Sequence, residues 1–124
     1  MATVGEVMTR SILAVEPSAT VAEAATIMGE RPAGSVLVMD GERLLGIFTE
    51  RDIVKVLGQH PSDAAVHPVS EWMTSEPMTI RADTPTAEAL RTMVERGFRH
   101  LPVIEGDAVV GVVSMRDLSA SPPS

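Results

Sequence analysis

Two short segments carry most of the chemistry expected of this chain: Thr49-Glu50-Arg51-Asp52 and Ser114-Met115-Arg116-Asp117. Each sets a hydroxyl three residues before an aspartate, with an arginine just ahead of that aspartate. Each follows an apolar, strand-like run and opens a helical one. A hydroxyl at a helix start lies beside free backbone N–H groups and the positive end of the helix dipole, a physical setting for an anion. An aspartate one turn further on offers two oxygens to a vicinal diol such as that of a ribose. Arg51 and Arg116 can neutralise a phosphate bidentately. One helical turn can therefore carry phosphate at its tip and ribose on its flank. The same spacing also serves the helix alone. Thr-x-x-Asp and Ser-x-x-Asp approximate a capping box, in which the carboxylate accepts from its own helix start. First-turn arginines are commonly solvated and paired with a nearby acid. Both readings stand at this stage.

The remaining chemistry is sparse. Arg99-His100 precedes the apolar run Leu101–Ile104, whereas the matching place earlier in the chain is the uncharged Gly34-Ser35. The later place is expected to be the better anion binder. His100 reads equally well as a half-buried strand residue bonded to backbone. His60, Asp63 and His67 lie in a polar stretch with the spacing His-x2-Asp-x3-His. With no Cys and no helical i, i+4 His pair they read as solvated linker side chains, and no metal is expected. No Ser/His/Asp triad, paired acid/base carboxylates or Cys/His pair stands out, so the chain is not expected to be an enzyme.

The elements that must position these groups are written twice. Residues 4–54 align with residues 69–119 without a gap. Val4-Gly5-Glu6-Val7-Met8-Thr9 falls on Val69-Ser70-Glu71-Trp72-Met73-Thr74, Ala22-Glu23-Ala24 on Ala87-Glu88-Ala89, and Gly46 through Asp52 on Gly111 through Asp117. Such a repeat sets the architecture before local propensity is consulted. In the first copy, Val4–Thr9 has helical spacing and Ile12–Val15 reads as a short strand. Thr20-Val21-Ala22-Glu23 is a capping box opening a helix with apolar Val21, Ala24, Ala25 and Met28 on one face. Pro32 and Gly34 close it. Ser35–Met39 and Arg43–Phe48 are strands joined at Asp40-Gly41, a hairpin signal. Thr49 opens a helix running to about Leu57, apolar at Ile53, Val54, Val56 and Leu57, more than one buried stripe needs; this suggests a subunit interface. The second copy predicts a strand at 77–80, a helix from about Pro85 to Arg96 with Thr84 as its N-cap and Pro85 at its first position, strands at 100–104 and 108–113, and a short helix from Ser114. The fold class is α/β, a β-α-β-β-α unit duplicated about a pseudo-twofold axis. The expected boundaries are 1–58 and 69–120 for the copies, 59–68 for the linker and 121–124 for a disordered tail.

At 124 residues the two copies are expected to fold on one another around cores of Val, Ile, Leu, Met and Ala. The formal net charge is −7 and no Lys/Arg cluster occurs, which argues against nucleic-acid binding. No Cys is present, which removes disulfides and thiolate metal sites. No apolar run reaches membrane-spanning length and no signal-peptide pattern opens the chain, so a soluble cytoplasmic protein with no membrane partner is expected.

The Val-x-x-x-Met-Thr opening, the run Leu101-Pro102-Val103-Ile104 and the duplicated Gly-x-x-[Ser/Thr]-x-x-Asp together resemble the cystathionine-β-synthase (CBS) domain pair, or Bateman module, over nearly the whole chain. The resemblance implies a non-catalytic regulatory module, here standing alone, that binds an adenosyl ligand of the AMP, ADP or ATP class in the cleft between its repeats. NAD and S-adenosylmethionine are further members of that class, and no cofactor is required. It implies ribose and phosphate roles for Thr49/Asp52 and Ser114/Asp117, and a polyphosphate contact near Arg99 and His100. Backbone and aliphatic walls for adenine would come from Ala14-Val15, Thr79-Ile80, Val36-Leu37 and Leu101-Pro102. The first copy has Leu37 where the second has Pro102, a departure that makes its site the weaker match. The implied partners are the ligand, a second copy in a homodimer and an unknown protein target. The alternative is a dimerising interaction module that binds no ligand, with Asp52 and Asp117 as caps only.

Overall fold

The computed structural model describes residues 2–120; the tail expected to be disordered, 121–124, lies outside the described residues. The chain forms two compact units, and their boundaries do not follow the sequence repeat. One unit is Leu13–Pro77; the other joins the residues up to Ile12 to those from Met78 onward. The opening segment of each copy is thus built into the unit that holds the other copy's hairpin.

The Leu13–Pro77 unit contains a four-stranded sheet in the order β1-β2-β3-β4, with β1 Ala14–Val15, β2 Ser35–Asp40, β3 Arg43–Thr49 and β4 Thr74–Ser75. β1 runs parallel to β2, and β3 is antiparallel to both β2 and β4. Two residues, Gly41 and Glu42, join β2 to β3. Gly41 has φ +60° at the first central position, where the right-handed twist of the paired strands favours glycine. Helix α2 (Val21–Glu30) starts as its sequence predicts. The Glu23 N–H donates to Thr20 Oγ1 at 3.1 Å, and the Thr20 N–H donates to Glu23 Oε1 at 3.4 Å. It buries Val21, Ala24 and Met28 against Val36, Val38 and Phe48 of the sheet. α3 (Glu50–Gln59) adds Val56 to the same core and runs past Gly58, two residues beyond the expected end.

The other unit repeats the plan. Its sheet is β5-β6-β7, with β5 Ile80–Arg81, β6 His100–Glu105 and β7 Ala108–Ser114, and its helices are α1 (Val4–Val7), α4 (Thr86–Arg96) and α5 (Met115–Ala120). Its core gathers Val4, Met8, Ile80, Ala89, Met93, Leu101, Val103, Val113 and Leu118. Both hairpins shift register at the same point, between Val38 and Met39 and between Val103 and Ile104.

Three local expectations are corrected. α1 ends at Val7 because Thr9 is taken up by β7: its N–H donates to the Val112 carbonyl at 2.9 Å and its carbonyl accepts from the Val112 N–H at 3.0 Å. The strand expected at 77–80 begins only at Ile80, where pairing to Val103 starts. Pro85 is the N-cap of α4, with extended ψ 140°, rather than its first helical residue. The Thr86 N–H donates to the Ala2 carbonyl at 3.1 Å, so backbone from the opening segment does the work expected of the Thr84 hydroxyl. The same bond recurs in the first unit, from the Val21 N–H to the His67 carbonyl at 2.9 Å.

One residue type makes the exchange of opening segments feasible. β4 crosses β3 at Gly46, where an added Cβ would lie 2.5 Å from Met73 Sδ and 2.7 Å from the Thr74 carbonyl oxygen. At Gly111 an added Cβ would lie 2.6 Å from the Thr9 carbonyl oxygen and 2.8 Å from Met8 Sδ. The glycine of each Gly-x-x-[Ser/Thr]-x-x-Asp is therefore a crossing point for the other copy's Met-Thr.

Candidate functional site

Both hydroxyl–aspartate pairs stand where a hairpin strand turns into a helix. Thr49 ends β3 opposite Ser35, and Ser114 ends β7 opposite His100. Each aspartate folds back on its own helix start. The Thr49 N–H donates to Asp52 Oδ2 at 2.8 Å, and the Thr49 hydroxyl donates to the same oxygen at 3.2 Å. The Ser114 N–H donates to Asp117 Oδ2 at 2.9 Å, and the Asp117 N–H donates to Ser114 Oγ at 3.0 Å. The capping reading is thus realised at both places.

It does not exhaust the carboxylates. The bonds from Thr49 and Ser114 all fall on Oδ2 of their aspartates. A carboxylate oxygen has two acceptor positions, so a capped aspartate keeps room for a diol. Asp52 is buried, and desolvation pushes its carboxyl above the ordinary value. The Thr49 backbone and hydroxyl bonds and the charges of Lys55 and Arg51 oppose that rise. A carboxylate short of water and of full hydrogen bonding gains most from a donor that arrives with a ligand.

The helix tips are less open to an anion than the sequence implies. The Glu50 N–H donates to the Gly34 carbonyl at 3.1 Å and the Met115 N–H to the Arg99 carbonyl at 2.8 Å. Backbone from the preceding strand edge therefore consumes a first-turn donor in each case. Arg51, Arg99 and Arg116 are exposed, and none of them makes an ion pair with the described residues. All three border the helix starts.

The other sequence candidates divide by depth. His100 is half-buried, stands opposite Ser114 in the β6–β7 register and engages other groups of the protein. Thr79 is half-buried just before β5. Val15 and Ile80 belong to the hydrophobic clusters of their units, and Pro102 is fully buried. In this conformation none of the three presents an exposed side-chain wall. An open depression of about 270 Å³ beside Val15 is lined by Glu16, Ser18, Ala19 and Glu23. Its two carboxylates disfavour a phosphate.

The fold brings together one grouping that the sequence reads as solvated linker side chains. His60, Asp63 and His67 are drawn together by the turn after α3, with a ligand atom of each within 4.8 Å of the others. The signal was present in the spacing. The 3-10 turn Ala64–Val66 that folds the spacing into a cluster was not.

A family model described as the CBS domain matches residues 4–59 and 69–122. A 17.7 kDa protein from Acidianus ambivalens, uncharacterised in function, is 42% identical over 94% of this chain and 70% of its own length. The chain spans 60% and 19% of the length of two other curated relatives it matches. Among solved structures, the CBS-domain containing protein ATU1752 from Agrobacterium tumefaciens superposes with TM-score 0.90 at 30% identity, covering 95% of this chain and 97% of that one. The CBS domain pair of MJ0100, solved with 5′-methylthioadenosine and S-adenosyl-L-methionine, superposes with TM-score 0.87 at 25% identity, covering 96% and 94%. CBSX2, solved in complex with AMP, superposes with TM-score 0.80 at 27% identity, covering 96% and 94%. Among the described residues no helix is long and apolar enough to cross a membrane.

Proposed function

This chain belongs to the CBS-domain family, and from that premise we propose that it is a regulatory, non-catalytic module that binds an adenosyl ligand of the AMP, ADP or ATP class and passes the binding event to a partner protein. The observation that carries the reading is the pair of capped aspartates, each with its helix bonds on one oxygen and a second oxygen to accept from a ribose diol. Its support from outside the chain is that CBSX2 is solved with AMP and the MJ0100 pair with two adenosyl compounds. Thr49 and Ser114 sit next to the diol acceptors, and the exposed Arg51, Arg99 and Arg116 supply phosphate charge. His100 stands opposite Ser114, where the first unit has Ser35 opposite Thr49. The second place is therefore the stronger one for an anion. Binding shifts the population of helix arrangements that a partner reads.

A second reading has its own observation. Both aspartates are fully explicable as caps, and α3 leaves Val54 68% and Leu57 51% exposed. A homodimer joined through that face, with no ligand, uses the same fold.

The deciding experiment is a thermal-shift panel with AMP, ADP, ATP, NAD, S-adenosylmethionine and GTP on wild type and Asp117→Asn, which keeps a cap acceptor. A ligand at about 100 times its Kd stabilises by about 2.7 kcal/mol, a clear rise in Tm for a chain this size. An adenosine-specific rise lost in Asp117→Asn supports the sensor. A flat panel in wild type refutes it in favour of the interaction module.

A further inference from the structure

We propose that His60, Asp63 and His67 form a binding site for a divalent transition metal of the zinc type, with Glu71 orienting one of the histidines. All the groups involved lie in the Leu13–Pro77 unit and are set by its backbone. His60 caps the C-terminus of α3, its N–H donating to the Val56 carbonyl at 2.7 Å. The Asp63 N–H donates to the His60 carbonyl at 3.3 Å, and the 3-10 turn Ala64–Val66, anchored by buried Ala64, reverses the chain. His67 closes that turn, and its carbonyl accepts the Val21 N–H at 2.9 Å. The three side chains are thus held by an ordered turn rather than carried on a free linker.

The spacings suit a small cation. Zinc takes imidazole nitrogen and carboxylate oxygen at about 2.1 Å, which makes the edge of its tetrahedron about 3.4 Å. His67 Nε2 lies 3.3 Å from Asp63 Oδ2, near that edge, and His60 Nδ1 faces the other oxygen, Oδ1, at 3.7 Å; one ligand atom from each residue lies within 4.8 Å of the others, within reach of a small side-chain adjustment. The imidazole rings sit 4.4 Å apart between centroids. Two imidazoles and one carboxylate leave a fourth position for water. His60 is 40% and Asp63 58% exposed, which provides the entry path. Nitrogen donors of this kind select zinc, cobalt, nickel or copper over magnesium and calcium.

An independent feature points the same way. His67 presents Nε2 to the cluster, while its Nδ1 lies 3.3 Å from Glu71 Oε2 and 3.4 Å from Trp72 Nε1. A carboxylate on the far nitrogen is the usual orienting partner of a metal-bound imidazole. Nδ1 cannot donate to Glu71 and accept from Trp72 at once, so the two contacts belong to different tautomers. A metal on Nε2 fixes the proton on Nδ1, selects the bond to Glu71 and releases the indole N–H. Trp72 is the sole tryptophan, and its ring also meets His60 edge-on at 5.5 Å. The site carries its own fluorescent reporter.

The test uses the full chain without an affinity tag and without nucleotide, titrated with Co2+, Zn2+ and Mg2+. Co2+ is expected to give the visible ligand-field bands of a tetrahedral site at one ion per chain, displaced by Zn2+. Zn2+ is expected to raise Tm and change Trp72 emission, and Mg2+ to do neither. His60→Gln and His67→Gln should abolish the bands while leaving the metal-free circular dichroism unchanged. Glu71→Gln should keep them and weaken Zn2+ about tenfold. Asp63→Asn serves if either histidine variant fails to fold, and it too should lose the bands. Absence of bands and of any emission change in wild type overturns the proposal. So does binding that survives both histidine variants, which would place the ion elsewhere, for instance at His100.

Discussion

Replacing Gly111 with alanine tests how the opening segments are built into the two units. The new Cβ would stand 2.6 Å from the Thr9 carbonyl oxygen, and protein side chains essentially never approach closer than 3.0 Å. Methionine sulfur 2.8 Å away can swing aside, but the carbonyl is tied by the Val112 N–H at 3.0 Å. Going from 2.6 to 3.0 Å requires the Thr9 segment to retreat by about 0.4 Å, which stretches both Thr9–Val112 bonds. Overpacking of this kind costs about 1–3 kcal/mol, and Tm should fall by roughly 5–15 °C for a chain of this length. Gly46→Ala should behave alike, since its Cβ meets the Thr74 carbonyl at 2.7 Å. The internal control is Gly29→Ala in α2, where no atom lies within 4 Å. There alanine relieves the helix of glycine's backbone entropy, worth up to about 1 kcal/mol, and Tm should rise. Scanning calorimetry of the three variants reads all of this. If Gly111→Ala melts at or above wild type while Gly29→Ala rises, the close crossing of Thr9 over β7 is refuted.

Asp52→Asn should gain stability relative to wild type as pH rises. Burial lifts the folded carboxyl above 3.8, so the folded state holds the proton more tightly than the unfolded chain. Wild-type stability therefore falls as pH climbs from about 3.8 through the raised folded value, and the asparagine variant lacks that slope. Urea unfolding at a series of pH values measures the difference, and parallel curves would show that Asp52 is not desolvated. Phe48→Ala should cost about 3–5 kcal/mol, because the ring is fully buried in the core beneath α2; a loss below 1 kcal/mol by chemical denaturation would deny that packing. Under the interaction-module reading the chain is a dimer in solution, and Val54→Glu combined with Leu57→Glu should convert it to a monomer by light scattering with little change in Tm. A dimer indifferent to both changes would clear this face of α3.

What could be read from sequence was what local chemistry decides. The Thr20–Glu23 box involves residues one turn apart, so its bonds follow from spacing. The same holds for the hairpin turn at Gly41, which needs a positive φ, and for the buried stripe Val21, Ala24 and Met28. The duplication carried the rest of the plan, because whatever one copy does the other must nearly repeat. The hydroxyl–aspartate pairs were legible for the same reason, and their capping bonds follow from the same one-turn spacing.

Tertiary structure decided what depends on residues far apart in the chain. No local signal says that Thr9 will pair with Val112 or that Thr74 will pair with Ile47. Those bonds move the unit boundaries away from the repeat boundaries. They also explain why a glycine stands at 46 and 111, which by sequence alone looked like part of a ligand motif. Long-range backbone likewise displaced Thr84 as a cap and consumed helix-start donors that an anion would have used. Burial turned Val15, Ile80 and Pro102 inward, since each unit needs them for its core or interior. The histidine cluster makes the same point in reverse: spacing put His60, Asp63 and His67 within reach, and only the 3-10 turn, pinned by Ala64 and the Val21–His67 bond, gathered their nitrogens and oxygens around one point.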